Sequence, residues 1–169
     1  MKHFETTLAH RLFSQSMTAR PKPRWCHESF SSARPVRFNE MEYAVPLAKG
    51  ADCVNEIVST IRRRKIGTGF PVEFRTVAAD DIPLSPFFER ESATIAVHQH
   101  YRTDYRALFS ACEEVFRAYD GRPHWGKHHS RTRDELRSLY PGFERFVELR
   151  RRLDPAGKFL NPYLKFMFE

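Results

Sequence analysis

The sequence predicts an α+β domain, with an antiparallel sheet and helices packed on one side of it. Three runs of alternating hydrophobic and polar residues predict strands, and several runs with a helical period predict helices. They follow one another in the order β-α-β-β-α-α-α, which is typical of the α+β class. The 169 residues, of which 41% are hydrophobic, suffice for one domain with a real core.

The first half of the chain contains a strand, a helix and a second strand. Residues 36–45 predict a strand because hydrophobic and charged side chains alternate, and Pro46 ends it. Residues 51–65 predict a helix because Val and Ile recur at the i, i+3, i+4 and i+7 positions of one face. Residues 70–78 predict the second strand, in which one face should pack on helices and the other can carry chemistry.

The middle of the chain contains a third strand and the clearest helix. Residues 92–101 alternate in character, with small and branched hydrophobic side chains expected on the inner face. Residues 104–119 predict a helix because Tyr, Leu, Phe, Cys and Val form one continuous apolar stripe. The pair Asp120-Gly121 should stop this helix.

The last third of the chain contains two shorter helices and a tail. Thr132 and Glu135 have the spacing of a capping box, which predicts a helix that begins there and ends at Tyr140. A further helix is expected over 141–153. Residues 159–164 predict a short extended tail. The domain is thus expected over 35–169, with residues 1–34 as a partly irregular lead-in.

The cysteines and the hydropathy pattern indicate a reducing compartment. There are three cysteines, no CxxC motif occurs, and Cys53 and Cys112 fall on apolar positions of predicted helices. Free, buried thiols are therefore expected. No apolar run approaches the length of a transmembrane helix, and the first residues lack the hydrophobic centre of a signal peptide. We expect a cytoplasmic protein.

The charge pattern does not favour a nucleic-acid partner. The net charge is +7, but the only tight basic clusters are residues 62–65 and 150–152. Both clusters end predicted helices, where cations offset the negative end of the helix dipole. No Gly-rich nucleotide-binding motif and no GxSxG motif occurs. The histidines lack the spacing of a zinc site, so no metal is expected.

The most informative motif is the run His124-Trp125-Gly126-Lys127. Glu73 and Arg75 are two residues apart on a predicted strand, so they point to the same face. A carboxylate, a guanidinium, an ammonium and an imidazole could thus meet in one polar pocket. Such a pocket suits a polyhydroxy substrate, because each hydroxyl needs a hydrogen-bond partner once it leaves water. Taken singly, the same residues could be an ordinary ion pair, a surface lysine and a structural histidine.

Seven segments together carry a family resemblance. They occur in a fixed order along the chain, at residues 36–46, 70–75, 78–81, 95–99, 122–127, 153–155 and 159–161. From about residue 34 to its end, the chain resembles the C-terminal cap domain of the aldonolactone oxidases. That family includes D-arabinono-1,4-lactone oxidase, L-gulono-1,4-lactone oxidase and the alditol oxidases, which are flavoproteins of the vanillyl-alcohol-oxidase type.

The resemblance implies an FAD-linked oxidation of a CH–OH group of a sugar lactone or polyol. Hydride would pass to the flavin, and oxygen would be the acceptor. The resemblance assigns substrate binding to four residues, Glu73, Arg75, His98 and Lys127. It assigns catalysis to Arg75 and Lys127, and contact with the cofactor to His124, Lys127 and Asn161.

The resemblance also raises a question about the flavin. The sequence shows no FAD-binding domain, so FAD is expected to be bound mainly by a separate domain or subunit. The alternative is a non-catalytic remnant or interaction domain that keeps the fold without the redox reaction.

Overall fold

The sheet has four strands, which are β1 (Phe38–Pro46), β2 (Glu73–Val77), β3 (Ser92–His100) and β4 (Arg122–Pro123). The computed structural model describes residues 36–169. All pairings are antiparallel, and the strand order is β2-β3-β1-β4. The predicted α+β class and antiparallel sheet are therefore confirmed, while the expected lead-in over residues 1–34 lies outside the described residues.

The helices follow the predicted order. A 3₁₀ turn (Leu47–Lys49) leads into α1 (Gly50–Arg63), and the remaining helices are α2 (Arg106–Ala118), α3 (Arg133–Leu139), α4 (Phe143–Leu153) and α5 (Pro162–Phe168). Helix α3 begins with the predicted capping box, in which the Thr132 hydroxyl accepts from Glu135 N–H and the Glu135 carboxylate accepts from Thr132 N–H.

Two elements differ from the sequence prediction. Residues 159–164 are not an extended tail, because α5 begins at Pro162. The Asn161 side chain accepts a hydrogen bond from Leu164 N–H at 2.9 Å, and Met167 and Phe168 are buried. An Asn cap followed by Pro at the first helical position is a helix start signal, so this correction was available from the sequence. Strand β4 was missed because it has only two residues.

The main core lies between α1, α2 and one face of the sheet. Its strand residues occupy every second position, and they are Met41, Tyr43, Val45, Ala93, Ile95 and Val97. The Tyr43 ring stacks on Phe116 of α2 with a centroid distance of 4.7 Å and an interplanar angle of 11°. Burying a side chain of this size contributes about 1.5–3 kcal/mol to stability.

A second core joins helices α3, α4 and α5. It contains Leu136, Tyr140, Phe143, Val147, Met167 and Phe168, and Trp125 packs against it. The Trp125 indole donates to the carbonyl of Leu84 at 2.8 Å. The motif run 124–127 is thus attached through Trp125 to the helical part of the domain.

The described cysteines fit the expectation of free thiols. Cys53 and Cys112 are buried and unpaired with another cysteine, whereas Cys26 lies outside the described residues. Burial raises the pKa of the Cys53 thiol to about 12 and that of Cys112 to about 12, so both stay protonated near neutral pH. Within residues 36–169, no helix is both long and apolar enough to cross a bilayer.

Gly121 is needed where the chain passes from α2 into β4. A Cβ there would lie 2.7 Å from the Phe116 carbonyl oxygen and 2.9 Å from Tyr43 Cδ1. We expect Gly121→Ala to lower the free energy of unfolding by about 1–3 kcal/mol, because backbone and core must shift. A Cβ at Gly67 would meet nothing within 4 Å, so Gly67→Ala should change stability by about 0.5 kcal/mol or less. Urea unfolding measures both values, and equal losses would contradict the assignment of close packing.

Candidate functional site

The polar face of the sheet carries side chains from three neighbouring strands. In the register, Glu40 lies opposite His98, while Glu42 and Glu73 lie on either side of Ala96. Side chains two residues apart on a strand share a face, so these groups project from the side opposite the main core. The methyl side chain of Ala96 leaves space between the two glutamates for longer side chains to meet.

Lys127 reaches this face from the lysine loop, which we define as residues 124–130. The main chain of the loop is tied to β1, because His124 N–H donates to the Glu42 carbonyl and His128 N–H to the Glu40 carbonyl, both at 3.0 Å. The Lys127 ammonium then returns to the side chains of the same two residues. Its Nζ lies 2.6 Å from Glu40 Oε1 and also forms an ion pair with Glu42 Oε2.

Arg75 joins the same network through Glu42. Its guanidinium lies 2.5 Å from Glu73 Oε1 and 3.7 Å from Glu42 Oε2. Glu42 thus contacts both cations, so the structure brings Arg75 and Lys127 to one side of the sheet. Arg75 is half-exposed because β2 is an edge strand, whereas the Glu42 side chain is 8% exposed.

His98 lies in the network at the Glu40 end. Its Nε2 is 3.3 Å from Glu40 Oε1, and its side chain is 9% exposed. The ring of Phe38 meets the imidazole edge-on with a centroid distance of 5.0 Å. The ring of Phe70 lies 6.0 Å away. The imidazole is therefore held between two aromatic rings and a carboxylate.

The charges on Glu40 and Lys127 stabilise each other. Burial by itself raises the pKa of Glu40, but hydrogen bonds with His98 and Lys127 outweigh it and lower the pKa to about 2. Burial also lowers the pKa of Lys127, yet hydrogen bonds with Glu40 and Glu42 outweigh it and hold the pKa above its ordinary range. Both groups are thus charged near neutral pH.

Two predicted site residues do not enter the network. His124 is exposed, and its Nδ1 accepts a hydrogen bond from Gly126 N–H at 3.0 Å, which bends the lysine loop back on itself. Asn161 is exposed at the start of α5, where its side-chain oxygen caps the helix. The other four predicted site residues, Glu73, Arg75, His98 and Lys127, are brought together by shared carboxylates.

The sequence reasoning missed Glu40 and Glu42 as site residues. The sequence pattern predicts them only as the polar half of an alternating strand. Their spacing of two residues, the same as that of Glu73 and Arg75, was an available signal. It was not decisive, because acidic residues on one face of a strand are usually solvated.

A pocket of about 580 Å³ opens beside the Lys127 end of the network. Its lining combines aromatic rings with the two charged groups, and includes Phe38, Glu40, Trp125, Lys127, His128 and Tyr163. Glu73 and Arg75 lie outside this lining, at the open edge of the sheet. The network therefore borders this pocket near Lys127 and reaches the edge strand β2 near Arg75.

Three side chains of the network offer a possible set of metal ligands. Oxygens of Glu40 and Glu73 and a nitrogen of His98 all lie within 4.8 Å of one another. The same carboxylates already hold Lys127 and Arg75, so a divalent cation would have to displace an ammonium and a guanidinium. This geometry does not favour a metal, and the absence of a resident metal stays a prediction.

Acid should weaken the fold through Glu40. Its pKa falls from an ordinary 4.5 to about 2 on folding, so its contribution is fully present above pH 4.5 and is lost as the pH falls toward 2. The contribution is on the order of 3 kcal/mol, since each pH unit between the two pKa values corresponds to about 1.4 kcal/mol. We expect Glu40→Gln to flatten the pH dependence of the unfolding free energy in this window. Urea titrations at several pH values measure it.

The matched control for this titration is Glu148→Gln, at an exposed residue of α4. It should leave the pH dependence close to that of the unaltered chain. The same slope for both variants between pH 4.5 and pH 2 would contradict the charge pairing at Glu40.

Comparison with known proteins agrees with the family resemblance of the sequence. A family model described as D-arabinono-1,4-lactone oxidase matches residues 3–167, which includes most of the segment expected to be a lead-in. L-Gulono-1,4-lactone dehydrogenase of Mycobacterium tuberculosis (strain ATCC 25618 / H37Rv) is 40% identical over 155 residues, covering 92% of this chain and 36% of the relative.

Two further relatives are named for other activities. L-Gulonolactone oxidase of Mus musculus is 35% identical over 147 residues, covering 84% of this chain and 33% of the relative. Alditol oxidase of Streptomyces sp. (strain IKD472 / FERM P-14339) is 36% identical over 129 residues, covering 75% of this chain and 30% of the relative. The chain thus spans about a third of the length of the curated relatives it matches. Since the family model covers nearly all of it, the chain belongs to the D-arabinono-1,4-lactone oxidase family.

Proposed function

We propose that this chain is the substrate-binding domain of an FAD-linked oxidoreductase that oxidises a CH–OH group of an aldonolactone or a polyol. The observation that carries the proposal is the network on the polar face of the sheet. It unites Glu73, Arg75, His98 and Lys127 around the two carboxylates of β1. Several fixed donors and acceptors within a few ångströms match the many hydroxyls of a sugar lactone.

The side chains of the network have complementary roles in this proposal. Glu73 accepts hydrogen bonds from substrate hydroxyls, and Arg75 on the edge strand β2 donates to the reacting oxygen. Lys127 supplies positive charge that its two glutamates hold in place, so little reorganisation is needed when negative charge develops nearby. The His98 imidazole, whose Nε2 faces the Glu40 carboxylate, is a further substrate-binding residue of this face.

FAD, when bound, accepts the hydride from the carbon of the reacting group. The described residues fit such a flat, partly apolar ring, because Trp125 and Tyr163 line the same pocket as the Lys127 ammonium. We propose that His124, Lys127 and Asn161 contact the cofactor. Both His124 and Asn161 are exposed and lie outside the substrate network.

The remaining features of the proposal concern partners. FAD is bound mainly by a separate FAD-binding domain or subunit, in line with the share of the relatives that this chain spans. The substrate is a sugar lactone or polyol, no nucleic acid takes part, and the free buried thiols fit a cytoplasmic location. Oxygen is the proposed acceptor, although the relatives include both oxidases and a dehydrogenase.

The experiment that tests the function joins this chain to the part of the M. tuberculosis relative that lies outside the matched segment. We expect the flavin absorbance of this chimera to bleach on addition of L-gulono-1,4-lactone, D-arabinono-1,4-lactone or an alditol, and hydrogen peroxide to form in air. A chimera that binds flavin but is reduced by none of these compounds would favour the non-catalytic alternative. Reduction without peroxide would replace oxygen with another acceptor.

Arg75→Ala should lower turnover of the chimera about 10²–10³-fold, because one fixed donor to the reacting oxygen is lost. Its stability should change by about 1 kcal/mol or less, since the side chain is half-exposed. Arg64→Ala is the matched control. Arg64 is also about half-exposed and lies 2.6 Å from Glu114, on the opposite, helical side of the domain. Steady-state kinetics and urea unfolding measure both, and equal effects on turnover would remove Arg75 from the site.

A further inference from the structure

Helix α2 and the N-cap residue before it present a row of three side chains to the lysine loop. Tyr105, Phe109 and Glu113 are spaced by four residues, so they lie along one face of the helix. The His128 ring packs on the first two, with centroid distances of 4.7 Å to Tyr105 and 5.7 Å to Phe109. The third residue of the row, Glu113, binds the end of the loop at Ser130.

Glu113 is a buried carboxylate with three hydrogen-bond donors. It is 5% exposed and accepts from Ser130 N–H at 2.8 Å, from the Ser130 hydroxyl at 2.5 Å, and from the Tyr43 hydroxyl. Burial alone would raise its pKa, but the bonds from Ser130 and Tyr43 outweigh burial and lower it. The carboxylate is therefore charged on a helix face that is otherwise apolar.

A contribution to the stability of the fold does not by itself explain why residue 113 carries a charged carboxylate. Desolvating a carboxylate costs several kcal/mol, and a neutral acceptor would satisfy the Tyr43 hydroxyl equally well. Two of the three donors come from Ser130, which is an exposed residue at the loop end. The charge is thus directed mainly at the loop.

Ser130 lies three residues beyond Lys127 along the lysine loop. His128 is hydrogen-bonded to the Glu40 carbonyl, and Ser130 is two residues further along. The intervening His129 contacts α5, because its Nε2 lies 2.7 Å from the Tyr163 hydroxyl. From Lys127 onward, each residue of the loop is therefore attached to β1, α2 or α5.

We infer that Glu113 is a positioning residue for Lys127: by holding Ser130, it fixes the end of the lysine loop and so keeps the ammonium between Glu40 and Glu42. The inference rests on the proposed function, in which Lys127 supplies the positive charge of the site. It concerns the geometry of the chain itself, so it can be tested without substrate or flavin.

The test follows the titration of Lys127 in this chain by the ¹³C chemical shift of its Cε, assigned with Lys127→Arg. Ser130→Ala removes the bond that the hydroxyl donates to Glu113, together with the one it accepts from Arg117 at 3.3 Å, and Glu113→Gln leaves the Arg117 bond in place. We expect the pKa of Lys127 to fall toward that of a solvent-exposed lysine, because the ammonium spends less time between its two carboxylates. Ser130→Thr keeps a hydroxyl and should restore the pKa. Glu113→Gln should lower the pKa of Lys127 in the same direction as Ser130→Ala.

Ser138→Ala is the control, since Ser138 is also exposed and its hydroxyl donates one hydrogen bond, to the Glu135 carbonyl. It should leave the Lys127 titration unchanged. A Lys127 pKa that is the same in Ser130→Ala, Glu113→Gln and the unaltered chain would overturn the inference, even if urea unfolding showed a loss of stability. Loss of turnover in the flavin chimera bears on the proposed function alone, because the Lys127 titration involves neither flavin nor substrate.

Discussion

The site depends on one constraint, which is that the carboxylates of Glu40 and Glu42 are largely withdrawn from water and must be paired. A buried charge is tolerated only when opposite charges and hydrogen bonds replace its hydration. Lys127 meets this requirement for both glutamates, and Arg75 approaches Glu42 from the other side. The pairing joins residues more than eighty positions apart in sequence, so it couples β1, β2 and the lysine loop into one unit.

The two faces of the sheet have different roles, because successive side chains of each strand point to opposite faces. One face of β1 and β3 carries hydrophobic residues that pack on α1 and α2. The other face carries ionic groups. The small side chain of Ala96 in β3 leaves the space between Glu42 and Glu73 free. Because the two sets of side chains belong to the same strands, a rigid hydrophobic core fixes the spacing of the polar groups.

The lysine loop is held from several directions by helices that lie outside the network. Helix α2 contacts it through His128 and Ser130, while the second core contacts it through Trp125. A flexible lysine side chain gains a defined position only when its backbone is fixed, since its rotamer freedom is otherwise large. In the proposed function, this support places the positive charge before substrate arrives.

The sequence by itself determined the α+β class, the order of the long elements, the capping box of α3 and the face shared by Glu73 and Arg75. These follow from local periodicity and from the chemistry of helix starts, which depend on near neighbours. The sequence motifs also carried the family resemblance. The start of α5 was equally local, and the Asn161-Pro162 pair should have predicted it.

Only the tertiary structure shows that Glu40 and Glu42 belong to the ionic network and that His124 and Asn161 lie outside it. It also shows that the Glu113 carboxylate accepts hydrogen bonds from Ser130. Each of these depends on strand register and on contacts between distant segments, because a carboxylate on an alternating strand has the same local pattern whether it is solvated or buried against a lysine. The pairing of strands and the burial of charge are properties of the packed chain, and no window of neighbouring residues contains them.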